Sequence, residues 1–166
     1  VVQPVTYAGK VVSSTLIREL LMRNRFKSAL NYLGHPYLIE GRVVKGRGLG
    51  KKLGFPTANI DVKETKVLPR GVFVAKIRIG SRACRAPAYC PGVCNIGFRP
   101  TLLKKGPLSV EAHLLNRGQN LLGKTVFIQL MHKLREERKF SSQEALVKAI
   151  GKDVQKAQRY FTRHQP

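Results

Sequence analysis

The sequence predicts a mainly β fold: a compact antiparallel barrel of six strands, preceded by a helical segment and followed by one helix. Three observations carry that expectation. Between Tyr37 and Leu134 the chain passes through six short β-rich runs, each ended by Gly, Pro or Lys/Arg turns. Their close spacing leaves no room for alternating β and α units, which favours a barrel. Before and after this region the apolar residues recur at helical intervals instead.

Leu16, Ile17, Leu20 and Leu21, then Phe26, Ala29, Leu30 and Leu33, place a helix over 14–33, which Asn24 is expected to divide. Gly34 suits a left-handed C-terminal cap and Pro36 prevents continuation, so a boundary falls near His35. Strands are predicted at 37–45, 56–62, 71–79, 91–97, 108–115 and 124–133. In the fifth, Val110, Ala112 and Leu114 face one way while Glu111 and His113 face the other. Ser141-Ser142-Gln143-Glu144 reads as a capping box in which Ser141 and Glu144 satisfy each other's free backbone donors. The helix that follows should bury Ala145, Leu146, Ala149, Ile150, Val154, Ala157 and Phe161 against the barrel. Lys148, Lys152, Lys156, Arg159 and Arg163 form its opposite, solvated face.

The most specific chemistry lies in Gly46-Arg47-Gly48-Leu49-Gly50-Lys51-Lys52-Leu53-Gly54 and the Phe55-Pro56-Thr57-Ala58-Asn59 that follows. Glycines at 46, 48, 50 and 54 let backbone amides approach an anion, and Lys51 and Lys52 can neutralise it. The loop is a candidate polyphosphate cradle. It is not a Walker A loop, because no Gly-Lys-Ser/Thr opens a helix here. Thr57 and Asn59, two residues apart, add neutral oxygens on one side of an extended strand, where a hard cation bridging phosphates would use them. Glu111, one of only nine acidic residues, is a candidate general base, its alternative being a surface glutamate paired with lysine. His113 is a second candidate base, ranked below Glu111.

The chain has 166 residues, 43% of them hydrophobic, enough for one ordinary domain plus an appendage. No run of about 18 apolar residues and no signal-peptide-like leader occurs, so the expected location is cytoplasmic, without a membrane partner. Cys84, Cys90 and Cys94 match no zinc spacing and read as inert thiols. Against 9 Asp and Glu stand 31 Lys and Arg, for a net charge of +22 and a pI near 10.7. Such a balance attracts polyanions, but no block of five or six consecutive basic residues occurs and most aromatics fall in strand-like runs. Specific nucleic-acid binding is therefore not expected, although a basic nucleic-acid-binding barrel stands as the alternative function.

The stretch Gly46 to Ile60, with its Pro56-Thr57-Ala58-Asn59 box, resembles the signature loop of the riboflavin kinases. Further matches follow in the family's order: Pro69-Arg70-Gly71-Val72-Phe73-Val74-Ala75, Gly92-Val93-Cys94-Asn95-Ile96-Gly97-Phe98-Arg99-Pro100-Thr101, Val110-Glu111-Ala112-His113-Leu114-Leu115 and Leu134-Arg135-Glu136-Glu137-Arg138-Lys139-Phe140. The resemblance implies a Greek-key barrel and ATP-dependent phosphorylation of riboflavin to FMN, leaving ADP. It also implies Mg²⁺ at Thr57 and Asn59, Glu111 as the catalytic glutamate, and Arg135, Glu137 and Phe140 in a mobile flavin loop. A flavin-holding module without catalysis would carry much the same motifs.

Val12-Ser13-Ser14-Thr15-Leu16-Ile17-Arg18 resembles a segment near the end of the FMN adenylyltransferase domain that precedes the kinase in bifunctional bacterial enzymes. Residues 1–34 are accordingly expected to be a remnant of that domain and 35–166 the kinase domain. Val1, in place of methionine, fits a chain that begins inside a domain, and FAD synthesis is not expected of this fragment. The chain departs from the family pattern at Lys45 and Lys51, and more at Asn116, Arg117 and Leu122, where an acid and two aromatics are usual. Those last changes bear on the lining of the substrate pocket, and leave the proposed base and metal ligands intact.

Overall fold

The computed structural model describes residues 3–80, 89–98, 108–115 and 120–164. Six antiparallel strands close into a barrel: β3 (Tyr37–Val44), β4 (Ala58–Val62), β5 (Gly71–Ile79), β6 (Cys90–Phe98), β7 (Leu108–Leu114) and β8 (Thr125–Arg135). Their order around the barrel is β3-β4-β7-β6-β5-β8. The step from β4 to β5 passes over β7 and β6, which is the long return connection of a Greek key. Each strand lies within about two residues of its expected position. Period-2 alternation fixes register wherever one face is buried, because a slip of one residue would turn every apolar side chain outward.

Phe73, Ala75 and Ile77 of β5 join Ile39, Ile60, Cys94, Ile96, Val110, Ala112, Ile128 and Leu130 in one buried core. The intervening Val72 and Val74 point the other way and pack with Val93 and with Ala157 of α4 (Gln143–Arg163). Strand β5 is buried on both faces because the C-terminal helix covers its outer side.

Before the barrel, the helical stretch expected over 14–33 forms two helices, α1 (Ser14–Met22) and α2 (Phe26–Leu33), as the sequence predicts. Asn24 divides them with a left-handed φ of 59°, and Gly34 ends α2 with a φ of 70°. Leu21, Phe26 and Ala29 are buried in the same cluster as the barrel interior, with the Phe26 ring 4.8 Å from that of Phe73. A hairpin of two short strands, β1 (Thr6–Tyr7) and β2 (Lys10–Val11), comes first and has no counterpart in the sequence expectation. Two-residue strands carry no alternation to detect; the turn between them is set by positive φ at Ala8 and Gly9.

The cap of α4 differs by one residue from the expected capping box. Ser142, not Ser141, is the N-cap, and its hydroxyl accepts from the Ala145 amide at 3.2 Å. Glu144 then sits one position too early to reach back to the cap amide. Its carboxyl is held below the usual range chiefly by a hydrogen bond with Ser142.

Candidate active site

Strand register assembles the site. Val44 opposes Asn59, Asn59 opposes Glu111, and Glu111 opposes Asn95, so one row crosses β3, β4, β7 and β6. Directly opposed residues project to the same face with Cβ atoms about 4.5–5.5 Å apart. The neighbouring row of Ile60, Val110 and Ile96 is buried in the interior. Asn59, Glu111 and Asn95 therefore lie together on the outer surface, each partly exposed.

The glycine loop folds over this row. A Cβ on Gly46 would overlap the Asn59 side-chain amide, and one on Gly50 would stand 2.8 Å from Thr57 Oγ1. Both positions need glycine because the backbone passes directly over the two proposed metal ligands. Within the loop, Leu49–Lys52 form one helical turn, α3, a turn the sequence reads simply as loop. Gly48 at its start has a φ of 71°, and Lys51 and Lys52 project from it into solvent with Arg47 and Lys45 exposed alongside. Gly54, with a φ of 82°, completes the turn into Phe55.

His113, on the same side of β7 as Glu111, donates from Nδ1 to the Pro56 carbonyl at 2.8 Å and meets the Phe55 ring edge-on at 5.9 Å. It is tied to the end of the loop, and its Nε2 remains the nitrogen able to accept a proton. Cys94, beneath Glu111 on the interior face, has its thiol pushed well up by burial and further by the Glu111 charge. Such a thiol is inert, as is expected of a core cysteine. Cys90 is buried and free as well, while Cys84 lies outside the described residues.

No cluster of three His, Cys, Asp or Glu able to hold a metal occurs among the described residues. Neutral oxygens at Thr57 and Asn59, closed beneath a loop that a Cβ would obstruct, fit an ion that keeps water and phosphate oxygens as its remaining ligands.

The residues of the expected flavin loop are used in three different ways. Arg135 ends β8 and turns its guanidinium onto Asp153 of α4, with Nε 2.9 Å and Nη2 2.9 Å from Oδ2. The Glu137 carboxylate reaches β6, where the Phe98 amide donates to Oε2 at 3.3 Å. Phe140 lines a cleft of about 320 Å³ with Arg138, Lys148 and Lys152, its ring 5.0 Å from the Arg138 guanidinium carbon. Asn116 and Arg117 lie outside the described residues, and Leu122 is exposed.

Two residues of this region are absent from the sequence-based site. Asn95 is a polar residue between apolar core residues of a strand, out of phase with them, which is the signal that marks an outward-facing site position. Asp153 lies four residues after Ala149 and four before Ala157, on the buried stripe, where a carboxylate requires a partner.

A family model described as riboflavin kinase matches residues 33–161. Bifunctional riboflavin kinase/FMN adenylyltransferases from Buchnera aphidicola and Pseudomonas fluorescens are 39% and 40% identical over 93% and 92% of this chain. The corresponding Bacillus subtilis protein is 35% identical over 97% of it. These alignments cover 49%, 47% and 50% of the relatives, so the chain spans about half their length. Among solved structures, one described as a macrolide-efflux protein from Streptococcus pneumoniae superimposes with a TM-score of 0.79 at 27% identity, covering 99% of this chain and 51% of that one. Riboflavin kinase from Trypanosoma brucei superimposes with a TM-score of 0.57 at 26% identity, covering 79% and 80% of the two chains. A closed six-stranded barrel, a glycine loop folded over Thr57 and Asn59, and these matches across most of its length agree: the chain belongs to the riboflavin kinase family.

Proposed function

We propose that this chain transfers the γ-phosphoryl group of ATP to the ribityl 5′-hydroxyl of riboflavin, forming FMN and ADP. The observation that supports the reading most is the register that sets Asn59 opposite Glu111 under the glycine loop. Phosphoryl transfer asks a protein mainly for positioning and charge neutralisation, with a base near the attacking hydroxyl. Amides of Gly46, Gly48, Gly50 and Gly54 and the ammonium groups of Lys51 and Lys52 surround the nucleotide phosphates. Glu111 takes the hydroxyl proton as the new oxygen–phosphorus bond forms and the bond from the γ-phosphorus to the ADP oxygen breaks. Thr57 and Asn59 hold the divalent cation, which we take to be Mg²⁺. When bound, that ion neutralises developing charge on the phosphate oxygens. Glu137 and Phe140 face the flavin, and Arg135 shapes the loop that carries them.

Residues 1–34 belong, on this reading, to the end of an adenylyltransferase domain in a longer protein, with the kinase domain at 35–166. FMN, but no FAD, is expected when the purified chain is supplied with riboflavin and Mg-ATP and the products are separated chromatographically. FAD formation would refute this division of activities. ATP and Mg²⁺ are both plentiful in the cytoplasm, where we take the activity to lie. No helix among the described residues is long and apolar enough to cross a membrane.

Thr57→Ala and Asn59→Ala should each raise the Mg²⁺ concentration needed for half-maximal FMN formation, and the double variant should raise it further. Each change removes one oxygen from a site with few protein ligands. Mg²⁺ titration curves superimposable on the parent's would place the cation elsewhere.

A further inference from the structure

Asp153 is 3% exposed, near the middle of α4, and its carboxylate is gripped by Arg135 through Nε, at 3.2 Å and 2.9 Å to the two oxygens, and through Nη2 at 2.9 Å. A buried ion pair is weak evidence for stability, since desolvating two charges offsets most of their attraction. The helix has other means of attachment: Ala157, Val154 and Phe161 pack with Val72, Val74 and Val93. What the pair supplies is direction, because a planar guanidinium held along its Nε–Nη2 edge admits few orientations.

Arg135 is the last residue of β8. Its Nη1 donates to the Glu136 carbonyl at 3.0 Å, and its guanidinium carbon lies 5.5 Å from the Phe140 ring centre. The pair thus sets the course of the chain leaving the barrel. Two residues on, Glu137 seats its carboxylate on β6 at Gly97 and Phe98, where any side chain at 97 would overlap it. Gly97 is two residues from Asn95, which opposes Glu111. Side-chain contacts at Arg135 and Glu137, joined by the backbone of the loop and of β6, connect the helix to the strand that carries Asn95.

We propose that Asp153 is a positioning residue of this enzyme: through Arg135 it holds the 136–140 loop against β6 and so governs engagement of riboflavin rather than of ATP. The inference rests on the riboflavin kinase reading. The nucleotide loop is carried by β3 and β4, to which, among the described residues, neither Arg135 nor Asp153 is bonded through its side chain, so the two substrates should respond differently.

In Asp153→Asn the riboflavin KM should rise by about ten- to a hundredfold, the scale on which small misplacements act. The KM for ATP should stay within about twofold of the parent's, as expected when only one substrate's contacts are disturbed. Amide hydrogen exchange at residues 136–140 should accelerate while that of β5 and β8 stays unchanged. If Asp153→Asn does not fold, Arg135→Gln/Asp153→Asn, which leaves no unpaired buried charge, is measured with the same expectations. Unchanged exchange at 136–140, or equal changes in both KM values accompanied by a lower melting temperature, would overturn the proposal. If the parent chain forms no FMN, the kinase reading fails, and the exchange comparison by itself decides whether Asp153 holds the loop.

Discussion

Replacing Glu111 by glutamine is expected to slow FMN formation by about 10² to 10⁴, the usual scale for removing a general base. The amide keeps the shape of the side chain and its place opposite Asn59 and Asn95, but cannot accept the 5′-hydroxyl proton. Glu111 is partly exposed on the outer face of β7, so the fold does not depend on its charge. The variant should therefore melt near the parent temperature and still bind Mg-ATP and riboflavin. Turnover close to the parent's would remove Glu111 from the role and leave His113, on the same side of β7, as the other candidate base.

The largest expected effect on stability belongs to Phe73→Ala. Phe73 is fully buried in β5, with the Phe26 ring 4.8 Å away and the Lys133 ammonium 5.9 Å from its ring centre. Truncating such a residue removes its transfer free energy and leaves a cavity that a closed barrel cannot collapse into, a loss of about 3 to 5 kcal/mol. For a chain of this size that corresponds to a fall in melting temperature of roughly 10 °C. Because Phe26 loses its partner, α2 should loosen together with the barrel, visible as faster amide exchange at residues 26–33. A fall of no more than roughly 2 °C, less than a kcal/mol, would show that the interior repacks around the gap.

The barrel was legible because its strands alternate. In β7 the order Val110, Glu111, Ala112, His113, Leu114 assigns both faces without reference to any partner, and the opposed positions then follow from strand order. Strand order itself is a long-range property. Nothing in the local pattern says that β4 pairs with β7 rather than β5, so the meeting of Asn59 with Glu111 could be expected only from resemblance. The β1–β2 hairpin and the single turn of α3 were too short to carry a period. At Ser141 and Ser142 the local signal fitted two registers, and the helix took the one that places Ala145 to receive the cap. Asp153 is hidden in the sequence because the buried stripe of α4 is marked by its hydrophobic members, and its partner Arg135 lies 18 residues away in another element. A carboxylate on a buried stripe is itself a signal, since it predicts an arginine within reach.

The central claim, that this chain moves a phosphoryl group from ATP to riboflavin, is tested most directly with ATP labelled at the γ-phosphate. Incubated with the purified chain, riboflavin and Mg²⁺, the label should appear in the 5′-phosphate of FMN, one for each ADP released, and the Glu111→Gln variant should reduce both products together. ADP release with the label in inorganic phosphate and none in FMN, or no consumption of ATP at all, would contradict the account.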